Sequence, residues 1–307
     1  MGVGLGEATL AVQVGLLLAG FGYAAYEDLR TREVTDTLWQ VLGVAGLLVG
    51  AVALFPGGTI PLLLWLAVGG LAAEHMFAWD QRLGPRLEPY ADLLELGGYG
   101  AVAALVFGVA VRFGFGDGGV PIAVVAVFAS VLIARGLFEA GVLYGGADAK
   151  ALMIAGLLVP LFPAPWLVAS PALVPLTSVL PFSVDLLMNA ALLSLAVPVA
   201  VAVRNAARGE FELWRGFTGY SIPVAELPRR FVWVRDPSFG DARREEGEIE
   251  TSEDDRRRRV EIARELADRG VRRIWVTPQI PFLVVMAVGA VAALVAGNLV
   301  VDLIRLV

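Results

Sequence analysis

Apolar residues fall into long runs separated by short polar connections over most of the chain. The runs are 9–26, 37–54, 59–79, 93–113, 120–138, 151–168, 183–203 and 281–301. A helix needs about 20 apolar residues to cross the hydrocarbon core of a bilayer. The pattern therefore predicts about eight transmembrane helices, the third and fourth least clear-cut because Glu74, His75 and Glu95 stand near their ends. Between the seventh and eighth runs the pattern changes. Residues 231–235 and 273–276 alternate in the manner of short strands, and a polar helix runs from Thr251 or Ser252 to Asp268, with Gly270 placed to end it. The stretch 241–255 is acidic and polar and reads as mobile.

Composition sharpens this division. The chain is 57% apolar and 18% charged, with a mean hydropathy of +0.72. Soluble domains carry roughly a quarter charged residues, so an ordinary soluble globule and a disordered chain are both excluded. Of the 54 charged residues, 31 lie between Arg204 and Thr277. The expected architecture is an α-helical polytopic membrane protein with a small α+β insert before its last helix. Residues 1–203 form the membrane domain, 204–277 a charged cytoplasmic domain and 278–307 the final transmembrane helix.

Arginines near the span ends set the expected orientation. Arg30, Arg32, Arg82, Arg86, Arg135, Lys150 and the Arg-rich insert all fall on one side of an eight-span chain, leaving Arg112 and Arg305 on the other. Both termini are expected outside and the insert in the cytoplasm. The first run follows Glu7 and no positive charge, so it reads as a retained span and not a removable signal peptide. The run Arg256-Arg257-Arg258-Arg259 is surrounded by Glu253, Asp254, Asp255, Glu261 and Glu265. It reads as a solvated, self-paired helix face, with a patch for anionic lipid headgroups as the alternative. Nothing has the uncompensated charge or aromatic interleaving of a nucleic-acid surface.

The chain has no cysteine and one histidine. Disulfides, thiolate metal sites and a cysteine nucleophile are excluded, and no metal or cofactor is expected. Basic residues are Arg with a single exception, Lys150, in an acidic protein of pI near 5.0. That usage fits either a salt-adapted archaeal proteome or GC-rich coding.

Among the few charges in the membrane body, two acids stand out. Asp28 closes the first span within Tyr26-Glu27-Asp28-Leu29-Arg30-Thr31-Arg32-Glu33-Val34-Thr35-Asp36, and Asp148 opens the sixth within Gly145-Gly146-Ala147-Asp148-Ala149-Lys150. Both are expected at membrane boundaries on the same side. Two carboxyl groups a few ångströms apart cannot both ionise cheaply, so one keeps a proton. The ionised member can take a proton from water attacking a peptide carbonyl, while the protonated member hydrogen-bonds to the carbonyl oxygen. Taken singly, Asp28 reads as a snorkelling acid beside Arg30 or Arg32, and Asp148 as a helix cap.

These two motifs, D-x-R-x-R-x-V-x-D after a first span and G-G-A-D-x-K at the start of a later one, resemble the type IV prepilin peptidase family. The archaeal preflagellin (prearchaellin) peptidases are the most similar branch, and Trp275-Val-Thr-Pro-Gln-Ile-Pro-Phe282 also resembles a segment of that branch. The resemblance implies an aspartic endopeptidase that removes short basic leaders from archaellin or type IV pilin-like precursors at the cytoplasmic face, with Asp28 and Asp148 catalytic. Gly145, Gly146, Lys150 and Asp36 would bind substrate or support the site, and membrane lipid would surround it. The chain departs from the family pattern in carrying Ala147 for the second glycine of G-x-G-D, Val34-Thr35-Asp36 where Ile-Pro-Asn is usual, and two extra spans before Asp148. Without cysteine it lacks the zinc site of the bacterial relatives, and cleavage without methylation is expected.

Decoys and alternatives remain. Gly114-Phe115-Gly116-Asp117 is a literal G-x-G-D that parity places on the opposite side, and Pro171-Ala172-Leu173 matches a presenilin-like motif within an outer loop. A presenilin-like intramembrane protease and an ion- or proton-coupled transporter are the competing functions. His75 reads as an interfacial residue, and Glu139 as the helical partner of Arg135.

Overall fold

The computed structural model describes residues 2–77, 88–116, 119–143, 145–161, 180–213, 215–234 and 252–306. Two compact units emerge, one formed by Met1–Glu27, Val34–Ala191 and Leu283–Val307, the other by Asp28–Glu33 and Leu192–Phe282.

Hydrophobic runs become helices where sequence places them. They are α1 (Gly2–Thr31), α2 (Asp36–Leu54), α3 (Thr59–Phe77), α4 (Ala91–Phe113), α5 (Ile122–Glu139) and α6 (Gly146–Leu158). Next come α7 (Phe182–Ser194) and α8 (Ala196–Ala207). Six stretches, with α7 and α8 taken as one, are long and apolar enough to cross a membrane. In α4 no described residue is buried, and Leu93, Leu96, Phe107 and Val111 face outward. Such a surface is stable only against lipid or another apolar partner, which fits a polytopic membrane protein. The polar residues near the ends of these helices have partners. His75 Nε2 and Tyr99 Oη share a hydrogen bond of 2.5 Å, and Arg135 pairs with Glu95 at 3.1 Å and with Glu139 at 2.9 Å.

Helix α6 is buried on all sides from Ala151 to Leu158, packed by α2 and α5. It stops at Leu158 because Val159 precedes Pro160 and leaves the helical region (φ −129°, ψ 84°). The predicted run 151–168 thus begins five residues earlier as a helix, and its end lies outside the described residues.

The last two predicted spans are not uniform helices. The run 183–203 remains one stretch long enough to cross a membrane, with a turn at Leu195 between α7 and α8, where Pro198 has no N–H to offer the Ser194 carbonyl. The run 281–301 splits into α11 (Phe282–Ala296) and α12 (Leu299–Leu306). Gly297 there adopts φ 83°, and the Asn298 side chain accepts the N–H groups of Val300 and Val301, both at 3.1 Å. This turn is fastened to α7: Asn298 Nδ2 donates to Asp185 Oδ1 at 2.7 Å, and Asn189 Nδ2 donates to the Gly297 carbonyl at 2.8 Å. All three polar side chains are fully buried.

The second unit contains a short helix α9 (Arg215–Thr218), strands β1 (Tyr220–Pro223), β2 (Val232–Val234) and β3 (Arg273–Pro278), and helix α10 (Ser252–Asp268). The sheet is antiparallel in the order β1-β3-β2, with Ile222 opposite Ile274 and Val234 opposite Val276. Period-2 alternation turns Ile274 and Val276 inward. They meet Ile222, Val232, Leu227 and, from α10, Ala263 and Leu266. Strand β1 was not anticipated, because its four residues are too short to carry a periodic signal. Gly270, in the left-handed region, follows α10 as its position suggests.

The arginine run is not uniformly solvated. Arg256 and Arg257 pair with Glu253 at 3.8 and 3.6 Å on the exposed face, whereas Arg259 is only 6% exposed. Its place is fixed by Asp255 at 3.8 Å and by the Phe231 ring, 5.9 Å from its guanidinium carbon. Most of the expected mobile stretch, 241–251, lies outside the described residues.

Candidate active site

Asp28 occupies the last turn of α1 and is 8% exposed. A carboxyl so far withdrawn from water needs compensation. Arg32 supplies part of it. Its Nη1 lies 3.9 Å from Asp28 Oδ1, a charge contact, while its backbone N–H donates to the Asp28 main-chain carbonyl at 3.2 Å. Arg32 is the one described non-glycine residue with positive φ, 61°, and so turns the chain out of the helix. Burial lowers the Arg32 guanidinium from its ordinary value, and the neighbouring Asp28 carboxylate opposes that shift.

Glu27 has a different task. Its carboxylate accepts the Thr35 N–H at 3.1 Å and the Thr35 hydroxyl at 3.1 Å. Thr35 is the residue before α2, so this contact closes the turn between the first two helices.

Asp148 lies in the first turn of α6. Its N–H donates to the Gly145 carbonyl at 3.0 Å, beginning the helix with a tight turn. A Cβ at Gly145 would stand 2.9 Å from Asp148 Oδ2, so the absent side chain leaves room for the carboxyl to fold back over the helix start. A Cβ at Gly146 would meet nothing. Lys150 reaches Asp36 Oδ1 at 2.5 Å, joining α6 to the first turn of α2.

The site residues thus divide between the units. Asp36, Gly145, Gly146, Asp148 and Lys150 belong to the first, and Asp28 to the second, together with Arg32, Phe231 and Arg259. Asp117 and the Pro171-Ala172-Leu173 segment lie outside the described residues. Among the described residues no group of three or more His, Asp or Glu is arranged to hold a metal ion. Sequence reading singled out neither Glu27 as a turn fastening nor Phe231 and Arg259 as neighbours of Arg32. Only the position of Arg32 inside the first motif carried any signal of it.

Residues 212–299 match the family model described as Archaeal Peptidase A24 C-terminus Type II. This match supports the archaeal prepilin/preflagellin peptidase family. A membrane-embedded peptidase of the prepilin/preflagellin type is the general activity that follows. The matched residues include β1, β2, β3, α10 and α11, whereas Asp28 and Asp148 lie outside them. No curated protein matches the chain.

Proposed function

We propose that the protein is an aspartic endopeptidase that removes short basic leaders from archaellin or type IV pilin-like precursors at the cytoplasmic membrane face. The carrying observation is the family match over 212–299 in a chain that also holds Asp28 and Asp148 at two helix ends. The charged segment 204–277 is its cytoplasmic domain.

In this reading the hydrophobic helix of the precursor enters among the spans, and its basic leader stays in the aqueous interface. The scissile peptide is locally extended, because helical hydrogen bonding would shield its carbonyl. One carboxylate, of Asp28 or Asp148, takes a proton from water as the oxygen attacks the carbonyl carbon. The other, protonated, donates a hydrogen bond to the carbonyl oxygen and stabilises the tetrahedral intermediate. Collapse of that intermediate sends a proton to the leaving amine. Gly145 leaves space beside Asp148, and Lys150 pairs with Asp36 at the start of α2.

Co-expression with an archaellin or pilin precursor tests the reading through the mobility shift that follows leader removal. Asp28→Asn and Asp148→Asn are expected to abolish processing, and Asp117→Asn to leave it intact. Normal processing by Asp148→Asn would overturn the dyad.

A further inference from the structure

Helix α1 ends on a residue whose backbone resists its own conformation. Arg32 adopts φ 61°, where a Cβ is crowded and glycine is the usual occupant. An arginine held there is explained by what its side chain touches. The Arg32 guanidinium carbon lies 5.0 Å from the centroid of the Phe231 ring, within cation–π range. Arg259 approaches the same ring at 5.9 Å. Each cation has its own acid four residues before it, Asp28 for Arg32 and Asp255 for Arg259.

The ring is itself anchored. The Gln279 N–H donates to the Phe231 carbonyl at 3.0 Å, and Gln279 Nε2 donates to Asp255 Oδ2 at 3.4 Å. Arg32 Nε and Nη1 and Arg259 Nε are buried without a hydrogen-bond partner among the described residues, so the aromatic face is a major part of their compensation. Every member of this cluster belongs to the second unit, and Phe231, Asp255, Arg259 and Gln279 all lie within the family-matched residues.

We infer that Arg32 is a positioning residue for Asp28, and that the Phe231 ring, which Arg32 shares with Arg259, is the seat that holds Arg32 in place. The inference rests on the assignment of Asp28 as a catalytic carboxyl. It gives the charged C-terminal segment a part in catalysis: that segment supplies no reacting group, yet orients one. The Arg32 guanidinium faces the Asp28 carboxyl across 3.9 Å as its counter-charge, and the Arg32 N–H caps the turn that carries Asp28. Releasing the guanidinium from Phe231 frees the Asp28 carboxyl to leave its productive orientation while substrate binding persists.

The test is precursor cleavage kinetics with the full-length protein in lipid vesicles, each variant matched to wild type for accumulation and thermal midpoint. Arg32→Gln is expected to lower kcat about 10- to 100-fold with KM little changed, the signature of lost positioning. Arg32→Lys, which restores a cation, recovers part of the loss. Arg32→Gly removes the backbone crowding as well as the guanidinium, and is expected to remain as slow as Arg32→Gln. Phe231→Leu lowers kcat and Phe231→Tyr, which keeps the ring, recovers most of it. The double variant Arg32→Gln with Phe231→Leu is no slower than Arg32→Gln alone, since both act through one contact.

Wild-type kcat in Arg32→Gly would reduce Arg32 to a chain-turning residue and overturn the inference, as would multiplicative losses in the double variant. If Arg32→Gln does not accumulate, the Phe231 pair decides on the same criterion. Asp28→Asn run in parallel separates the two levels of argument. Cleavage by Asp28→Asn sinks the dyad itself, whereas a dead Asp28→Asn beside a fully active Phe231→Leu sinks only the positioning.

Discussion

Lys150 Nζ lies 2.5 Å from Asp36 Oδ1, so the one lysine of the chain joins the start of α6 to the start of α2 across 114 positions. The lysine is 19% exposed and the aspartate 61%, so solvent screens the pair and its contribution to stability is at most about 1 kcal/mol. Its larger effect is expected in register. Asp36→Asn and Lys150→Met should each slow precursor processing several-fold with little change in thermal midpoint. A charge-reversed double variant, Asp36→Lys with Lys150→Asp, should recover part of the rate. Additive losses in that cycle would mean the contact has no role in the site.

Gly145 and Gly146 are adjacent but differ in what a side chain would meet. A Cβ at Gly145 stands 2.9 Å from the Asp148 carboxyl, and a Cβ at Gly146 has open space. Gly145→Ala is therefore expected to cut processing at least about tenfold by displacing that carboxyl. Gly146→Ala, inside the first turn of a helix, should leave folding intact and processing within about twofold. Equal activity of the two alanine variants would show that the Asp148 carboxyl does not need its present place.

Asn298 carries several contacts in one buried site, donating to Asp185 and capping α12 through Val300 and Val301. Asn298→Ala strips the buried Asp185 carboxyl of that donor, and a loss of about 2–3 kcal/mol is expected. A clear fall in the thermal midpoint of the detergent-purified protein would report it. Asp185→Asn, which keeps an oxygen facing Asn298, should be milder. The opposite ranking would mean that the carboxyl itself is required.

Within the arginine run, Arg256 and Arg259 should behave differently. Arg256 pairs with Glu253 on the exposed face, so Arg256→Gln is expected to stay within about 0.5 kcal/mol of wild type. Arg259 is buried against Phe231, and burial lowers its guanidinium from the ordinary value while Asp255 opposes the change. Arg259→Gln leaves Asp255 without its cation and the Phe231 ring with Arg32 alone, and should cost about 1–3 kcal/mol, measurable by hydrogen exchange in β2 and α10.

Much of this architecture was legible from residue type alone. Runs of apolar residues marked the helices, and the alternation of Ile274 and Val276 with Arg273 and Trp275 marked β3. The i,i+4 spacing of Arg135 and Glu139 anticipated their ion pair, while the second partner, Glu95, comes from another helix. The turn at Leu195 and the break at Gly297 were missed because hydropathy averages over a window and a single proline or left-handed glycine barely moves the average. Inward rotation of Arg259 was missed for a related reason. Charge in a run suggests solvent, and only a ring brought from Phe231 makes burial of one member tolerable.

The sequence by itself determined that this protein lives in a membrane and which stretches become apolar helices, because apolar transfer free energy is additive along the chain and needs no knowledge of neighbours. Tertiary structure decided the partnerships: Lys150 with Asp36, Asn298 with Asp185, and Arg32 and Arg259 over Phe231. Each joins segments far apart in sequence, and electrostatic and aromatic contacts depend on distances that exist only once the chain has returned to itself.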